Sequence, residues 1–463
     1  MQPTVSHQRS SDVSHLGVLL GDPTLSRIIA LATSTVFEDR SLQKTFWGVD
    51  ETSIDSGFQG HLYTRPEDTF VVGVKSNDDS VPEMVLKAIE VNHEIWRFFT
   101  GIELSSAADR IVLASDKTSP ARLQANIAAN VAANVAANVT WHTGSLLSAG
   151  IEQYRNTGKA FLAFVLNNYV AGILDPDRQD ARLAELARNT SMLMDKNIAM
   201  DALLSNSVEC AKTYSINGGT GLDFVLNNIP PGGKYVFKPA GGAAGIGVFS
   251  NNNSGASLSS IISHIENLKH NGQLPSRFQI QEFVSGAPFG ITAFFGENET
   301  FRVLEIHQQI NNETGRFVGG RWTPSIQAEQ MAFAGMICRK LAAMAHPSFS
   351  GPIGLDVIGD KIIEVNPRLT ASAPIAHILR DQDQFSARIG ENFQLAQIDL
   401  NTNLPISYEF INDGSLRRLI EHVWKKHRAL VLPQGLDPFG SSRFIFINDD
   451  AEGTAQQEFL RLG

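Results

Sequence analysis

The alternation of hydrophobic and polar residues is clearest in GPIGLDVIGDKIIEVNPR, at residues 351–368. Two short apolar runs, at residues 353–358 and 361–366, flank the turn signal Gly359-Asp360. Short runs rich in β-branched residues on either side of such a turn predict a β-hairpin. Two polar side chains of the second run lie at alternate positions, so they are expected to project from one face.

The length of the turn decides on which face Asp356 lies. A two-residue turn would pair Asp356 with Ile363 and place it on the face opposite Glu364. A three-residue loop that includes Lys361 would pair Asp356 with Glu364 instead. We predict the three-residue loop, because it brings both carboxylates onto one face together with Asn366.

These oxygen atoms match the ligand preference of a magnesium ion. Asp356, Glu364 and Asn366 would supply two carboxylates and an amide carbonyl, and alternation adds Ile362 to the same face. Arg368, just beyond the strand, would bind an anion beside the metal through its two-pronged guanidinium group. A surface hairpin with solvated charges is the alternative interpretation.

The first 185 residues have the pattern of a mixed α/β domain. Apolar strand candidates at residues 15–20, 71–74 and 111–114 alternate with helix-like segments, notably residues 84–99. No GxGxxG follows these strands, so dinucleotide binding has no support. Asparagine recurs at every fourth position of residues 125–139, which predicts one face of a helix and no chemistry.

The middle of the chain has the features of a nucleotide site. A strand at residues 235–238 leads Lys238 into the sequence PAGGAAGIG, after which Val248-Phe249 resumes a strand. The loop therefore lies within a hairpin, and its glycines let backbone N–H groups approach an anion: Gly241, Gly242, Gly245 and Gly247. It fits neither the Walker A nor the GxGxxG spacing, and a flexible surface loop is the competing interpretation. Lys196, at the start of a predicted helix, would join Lys238 in neutralising a triphosphate.

Further residues border this site in the sequence. A strand at residues 278–284 could present Gln281 or Glu282 to an adenine amino group. Arg321 could pair with a substrate carboxylate, although a solvated loop arginine is the more common outcome. We expect His307, in an alternating strand, to be structural. In the tail we predict a helix from Asp413 or Ser415 to Lys426, a turn at 433–435 and a strand at 442–447. The basic cluster of this tail is expected to lie on a solvated helix face, with contact to a substrate carboxylate as the alternative; its members are Arg417, Arg418, Lys425, Lys426, His427 and Arg428.

Composition limits the classes of protein that remain. The 463 residues suggest about three domains, and 43% hydrophobic with 19% charged residues is typical of a globular protein. The net charge of −10 argues against nucleic acid as a partner. Two cysteines, no signal peptide and no apolar run long enough to span a bilayer predict a cytoplasmic protein without a membrane partner.

The order of lysine, glycine hairpin, QEFV strand and LDVIGDKIIEVNPR resembles the ATP-grasp superfamily of carboxylate–amine ligases, over about residues 195–400. The layout is also similar to ATP-grasp peptide ligases of the pheganomycin type. This resemblance implies an α/β and α+β fold. An N-terminal pre-ATP-grasp α/β domain (1–185) would precede two ATP-grasp subdomains, one with the glycine-rich lid (186–285) and one with the magnesium-binding hairpin (286–400). A small C-terminal α/β extension (401–463) would follow.

The resemblance also implies a reaction. ATP would phosphorylate an amino-acid-type carboxylate, and the amine of a peptide or amino acid would displace phosphate to give an amide, as in antibiotic biosynthesis. The cofactors would be ATP and Mg²⁺, and the protein could form a homo-oligomer. A kinase that stops at phosphorylation and a non-catalytic ATP-binding scaffold are the alternatives.

Individual residues acquire roles from the same resemblance. Lys196 and Lys238 would hold phosphates, and Gly241–Gly247 would close over them. The adenine would lie against Gln281, Glu282, Phe283 and Val284. Asp356, Glu364 and Asn366 would bind Mg²⁺, Arg368 would face the acyl phosphate, and Arg321 would border the substrate. Many relatives carry a glutamate for the ribose where this chain has Pro288, so the ribose site is unassigned.

Overall fold

The computed structural model describes most of residues 181–368, five strands within residues 28–162, the segments 394–399, 414–435, 443–449 and 453–462, and the single residues 152, 370, 372, 375 and 379. The helices are α1 (Ala181–Met194), α2 (Lys196–Ser205), α3 (Leu222–Asn228), α4 (Leu258–His270), α5 (Pro324–Ala342), α6 (Ser415–His427) and α7 (Thr454–Leu462). The strands are β1 (Ile28–Thr33), β2 (Thr69–Gly73), β3 (Arg110–Ser115), β4 (Asn138–Thr143), β5 (Ala160–Leu162), β6 (Thr213–Asn217), β7 (Lys234–Pro239), β8 (Ala256–Ser257), β9 (Arg277–Glu282), β10 (Pro288–Phe295), β11 (Phe301–Asn311), β12 (Phe317–Trp322), β13 (Gly351–Ile358), β14 (Lys361–Asn366), β15 (Leu395–Asp399), β16 (Leu430–Gly435) and β17 (Arg443–Ile447). This mixture of helices and sheets confirms the predicted fold class.

The N-terminal part contains a parallel sheet in the order β4-β3-β2-β1-β5. Strands β2 and β3 confirm the predictions near residues 71 and 111. The helix predicted at residues 125–139 is wrong at its end, because Asn138 begins strand β4. Alternating Val139 and Trp141 suit a strand better than the asparagine spacing suggested. The rest of that segment, and the elements predicted at residues 15–20 and 84–99, lie outside the described residues.

A four-stranded antiparallel sheet, in the order β6-β9-β7-β8, holds the residues predicted to bind a nucleotide. Helix α4 packs on it, with Ile261 and Ile265 against Phe237 and Ile280 in one buried cluster. Ser257 caps the N-terminus of the helix, because its side chain accepts a hydrogen bond from the backbone N–H of Ser260. This buried packing fixes β7, the strand that carries Lys238.

An eight-stranded antiparallel sheet, in the order β14-β13-β10-β11-β12-β15-β17-β16, forms the largest part of the described chain. Helix α5 covers one face, where Ile337 and Leu341 pack in a cluster with Ile291, Ile353 and Leu355. Thr323 caps the helix and Pro324 occupies its first turn, both of which favour helix initiation. The other face carries polar side chains of the central strands, among them Glu305, His307 and Asp356.

The two antiparallel sheets meet beside β14. Cys210 forms a parallel bridge with Ile362, supported by hydrogen bonds from Ile362 N to Glu209 O (3.0 Å) and from Ala211 N to Ile362 O (2.9 Å). Helix α2 is tied to the small sheet by the fully buried Asn197, whose Nδ2 donates to the carbonyl of Ile216 at 3.1 Å. Three elements with predicted site residues are thereby joined at one place.

The C-terminal part extends the large sheet. Helix α6 and strand β17 confirm the predictions at residues 413–426 and 442–447, whereas the predicted turn at 433–435 is the end of strand β16, with an irregular register beside Pro433. Part of the basic cluster is ion-paired, because Glu458 accepts hydrogen bonds from Lys426 at 2.8 Å and from Arg461 at 3.0 Å. None of the described helices has the length and apolar character that crossing a membrane requires.

Candidate functional site

The hairpin of β13 and β14 has a two-residue turn, so the predicted three-residue loop is wrong. Ile358 pairs with Lys361 across Gly359-Asp360, and Gly359 has φ +60°, which suits glycine. The pairing of Asp356 with Glu364 is nevertheless correct. The extra residue lies in a β-bulge within β14, where the register shifts after Val357.

The bulged residue is Ile363, and it reverses the alternation of the strand. Ile362 pairs with Val357 and is fully buried, on the face opposite Glu364, so the prediction that these two share a face is wrong. Beyond the bulge Asn366 pairs with Gly354, on the same face as the carboxylates. The bulge thus serves both faces, because it keeps Ile362 in the core and still turns the polar residues away from it.

Asp356 lies among charged and amide groups. Its Oδ1 accepts a hydrogen bond from Gln309 Nε2 at 2.6 Å, and its Oδ2 accepts one from Asn366 Nδ2 at 3.2 Å. Burial, together with the negative charge of Glu364, raises the pKa of the Asp356 carboxyl to about 6. A bound cation would relieve this repulsion, so the pair of carboxylates suits a divalent ion.

The predicted magnesium ligands are therefore on one face, but the amide oxygen of Asn366 is turned away from Asp356. In the arrangement found here Asn366 presents its amide nitrogen to Asp356, so the side chain has to rotate before its oxygen can bind a cation. Within the described parts of the chain, no three His, Cys, Asp or Glu side chains form a metal-binding group. Two carboxylates with one amide are compatible with Mg²⁺, which usually keeps several water ligands.

Two buried lysines reach the same hairpin. Lys196, the first residue of α2, has its Nζ 3.8 Å from Glu364 Oε1, and its backbone N–H donates to Ala240 O at 2.9 Å. Lys238, at the end of β7, donates from Nζ to the carbonyl of Ile363 at 3.1 Å. Burial lowers the pKa of Lys238, the charge of Glu364 opposes this, and the charge of Lys196 adds to it. A polyphosphate would stabilise both ammonium groups.

The residues predicted to lie against the adenine differ in burial. Gln281 is buried and its Nε2 donates to Thr213 Oγ1 at 3.1 Å and to Ile363 O at 3.3 Å, so its side chain is engaged inside the protein. Glu282 is exposed, with Oε2 3.9 Å from Lys361 Nζ. Half-buried Phe283 and Val284 follow in the chain.

The glycine-rich loop is described only at its two ends. Gly241 has open space around its α-carbon, and Gly247 has φ +72°, a conformation that glycine adopts readily. Phe249 forms an antiparallel bridge with Phe237, which confirms that the loop connects two paired segments. Gly242 and Gly245 lie outside the described residues.

The two predicted arginines differ in position. Arg368 follows β14 directly, and its backbone N–H donates to Asn366 O at 2.8 Å, which places it at the polar end of the hairpin. Arg321 pairs with Gln308, which pairs with Phe289, which in turn pairs with Val357 of the core face. Arg321 thus belongs to the opposite face of the sheet from Asp356, and the structure does not bring it to the other site residues.

A buried glutamate–histidine pair, Glu305 with His307, lies on the same face as Asp356, although the sequence predicts only a structural role for His307. Glu305 is fully buried and accepts hydrogen bonds from Thr292 Oγ1 and, at 3.2 Å, from Ser372 Oγ. Its Oε2 is 2.8 Å from Nδ1 of His307, which is 2% exposed. Glu305 and His307 are two positions apart in β11, which predicts from the sequence that they share a face. Only the strand register shows that this is the face of Asp356.

A family comparison matches this part of the chain. Residues 229–372 match the family model described as "ATP-grasp domain". This segment of the chain resembles an ATP-grasp domain. It includes Lys238, the hairpin with Asp356 and Glu364, and Arg368, whereas Lys196 precedes the matched residues.

Solved structures give weaker similarities. An N5-carboxyaminoimidazole ribonucleotide synthetase in complex with ADP has a TM-score of 0.49 and 11% identity, over 86% of this chain and 97% of that one. An L-amino acid ligase from Bacillus licheniformis has a TM-score of 0.48 and 10% identity, over 86% and 98%. Phosphoribosylamine–glycine ligase from Thermotoga maritima has 0.44 and 12%, over 81% and 94%. Scores this low carry no functional argument. Curated protein sequences give no significant match.

Proposed function

We propose that the protein is an ATP-dependent carboxylate–amine ligase. It would activate an amino-acid-type carboxylate as an acyl phosphate, which the amine of a peptide or amino acid attacks, with release of ADP and phosphate. The observation that carries this proposal is the pairing of Asp356 with Glu364 within an ATP-grasp domain, on a hairpin that two buried lysines approach.

The nucleotide and the metal are assigned to the residues that fit them. Lys196 and Lys238 would hold the phosphates, the N–H groups of the glycine-rich loop would lie over them, and residues 281–284 would border the adenine. Asp356, Glu364 and Asn366 would hold Mg²⁺, which supplies positive charge that stabilises the transferring phosphoryl group. No residue is assigned to the ribose.

The residues of the chain itself perform three tasks. The buried ammonium groups orient the phosphates and neutralise charge in a site of low polarity, where such interactions are strong. Arg368 would stabilise the negative charge of the acyl phosphate and of the tetrahedral adduct. The glycine-rich loop would keep water from hydrolysing the acyl phosphate. This route needs no covalent intermediate with the protein.

The finer parts of the proposal rest on the sequence resemblance. They are a peptide as the acceptor, a role in peptide natural-product biosynthesis as in pheganomycin-type ligases, and the division into domains at residues 185, 285 and 400. The two antiparallel sheets are compatible with the middle boundary, because β9 ends at Glu282 and β10 begins at Pro288.

A screen of acids against amines and short peptides tests the proposal. ADP release is measured together with mass detection of the conjugate. We expect an amide that forms only with ATP, and expect that Asp356→Ala, Glu364→Ala and Lys238→Ala each abolish it while leaving the fold intact. Asp360→Ala, an exposed carboxylate in the turn of the same hairpin, is the matched control and should keep activity.

The same screen separates the alternatives. A stable phosphorylated substrate without an amide would identify a kinase. ATP binding by calorimetry without any substrate-dependent ADP release would identify a scaffold. Full activity of the three alanine variants would refute the assignment of the site.

A further inference from the structure

His307 is held in a way that leaves one ring nitrogen without a partner. Nδ1 is 2.8 Å from Glu305 Oε2, while Nε2 is buried and has no hydrogen-bond partner within the described part of the chain. The other oxygen of Glu305 is occupied by Thr292 and Ser372. Buried polar atoms are normally paired, so an orphaned ring nitrogen on an otherwise satisfied carboxylate–histidine pair calls for a functional explanation.

Two glycines make room for this ring. A Cβ atom at Gly290 would lie 2.1 Å from His307 Cε1 and 2.5 Å from Nε2, and one at Gly320 would lie 2.8 Å from Cδ2. The imidazole therefore covers the backbone of Gly290, with the Nε2 side of the ring towards β10. Any side chain at Gly290 would exclude it from this position.

The strand register places His307 and the proposed metal carboxylate on either side of Gly290. Gly290 pairs with His307 on one side and with Asp356 on the other. Neighbouring strands are about 4.8 Å apart, so the two residues are about 10 Å apart at the backbone and both side chains rise from the same face. A substrate held near Asp356 would lie beside the imidazole ring that covers Gly290.

We propose that His307 Nε2 is the general base for the attacking amine, which rests on the proposed ligase function. Nε2 takes a proton from the substrate ammonium group, and this frees the nitrogen lone pair. The C–N bond then forms at the acyl carbon and the C–O bond to phosphate breaks, with phosphate leaving with that electron pair. The second proton of the amine is lost to solvent.

Glu305 acts as the positioning residue for this base. Its carboxylate fixes the ring orientation through Nδ1 and stabilises the imidazolium that forms when Nε2 takes up a proton. Because Nε2 is shielded in the structure, binding of the amine must displace the groups that cover it.

Hydroxylamine provides the test, because it is uncharged at neutral pH and needs no base before it attacks. An α-amino group has a pKa of about 7.7–8.0, so it is mostly protonated at pH 7. With a panel of the standard amino acids as donors, the wild-type protein should form hydroxamates that depend on ATP. His307→Gln should keep hydroxamate formation and lose amide formation with amino acid acceptors by about a hundredfold or more.

A second pair of variants guards against loss of folding. His307→Asn and Glu305→Gln should show the same selective loss, and calorimetric ATP binding reports whether each variant is folded. His270→Asn, at an exposed position at the end of α4, should leave both products unchanged.

The outcomes are distinct. Equal loss of hydroxamate and amide in folded His307 variants would mean that the histidine serves the acid or the fold, and retention of both would mean that it is dispensable. Either result overturns the proposal for His307. Absence of any hydroxamate from the wild-type protein would overturn the ligase function itself.

Discussion

Replacing Asp356 with Asn should stabilise the protein when no metal or nucleotide is bound. The structure holds this carboxylate beside Glu364 and largely away from water, and both conditions oppose its negative charge. An amide of the same shape removes that charge and can still accept a hydrogen bond from Gln309. The residue proposed to bind Mg²⁺ would therefore be a source of instability in the unliganded protein.

The magnitude follows from the pKa of the carboxyl group. It rises from an ordinary value of 3.8 to about 6 in the folded protein, and one pH unit corresponds to about 1.36 kcal/mol. The charge thus costs at most about 3 kcal/mol, and one altered hydrogen bond reduces the net gain to roughly 1–3 kcal/mol. A carboxyl group whose pKa is raised on folding stabilises the folded protein at pH values below its unfolded pKa. This stabilisation is lost as the pH rises through about 6. The advantage of the variant should therefore develop between about pH 4 and 6 and stay constant above.

Thermal unfolding in the presence of a chelator measures this effect. At pH 8, Asp356→Asn should unfold a few degrees above the wild type, and at pH 5 the difference should be smaller. Mg²⁺ with ATP should raise the melting temperature of the wild type and leave the variant unchanged. Asp360→Asn, in the exposed turn, should behave as the wild type. A variant that is less stable at pH 8, or a difference that does not vary with pH, would refute the reasoning.

Three other perturbations test separate features. Gly290→Ala places a methyl group against the His307 ring and should destabilise by about 1–3 kcal/mol in urea unfolding, whereas Gly335→Ala, in open space on helix α5, should be neutral or stabilising. Deletion of Ile363 should restore a regular ladder yet remove the carbonyl that Lys238 and Gln281 share, so calorimetry should show ATP affinity reduced at least about tenfold with the fold kept. The pKa of Glu458 is lowered to about 2, first by its hydrogen bond from Lys426, so its stabilising effect is present above about pH 4.5 and lost towards pH 2. Glu458→Gln should therefore lower the melting temperature at pH 7 and have little effect near pH 2, and an equal effect at both would contradict the assignment.

The hairpin shows how far the sequence could be interpreted. Chemistry alone correctly favoured the pairing of Asp356 with Glu364, because three oxygen ligands on one face make a plausible metal site. The predicted three-residue loop was wrong, because Gly359-Asp360 is an ordinary two-residue turn and the extra residue is Ile363, within the strand. A bulge depends on which neighbour its carbonyl and side chain find in three dimensions, and a single strand sequence contains no such information.

The sequence could not predict the positions of residues whose neighbours are set by the pairing of several strands. His307 and Arg321 lie in strands that contain both apolar and polar residues. The sequence predicts a structural role for His307 and a substrate contact for Arg321. Their faces follow only from the order β13-β10-β11-β12, which brings two residues separated by 49 positions, His307 and Asp356, to either side of Gly290. Alternation predicts which residues of one strand share a face, and pairing between strands decides what they face.

The carbonyl of Ile363 joins the two halves of the proposed site. It accepts from Lys238 of the small sheet, whereas the next residue, Glu364, faces Asp356 and lies within 3.8 Å of Lys196. The proposed phosphate-binding and metal-binding groups are thus positioned by two successive residues of one strand. Strand β14 is at the edge of the large sheet, so part of its backbone carbonyls point away from β13 and can accept hydrogen bonds from other parts of the chain. The bulged residue directs its carbonyl to Lys238, so the irregularity that aligns the carboxylates also positions the lysine that would share a nucleotide with them.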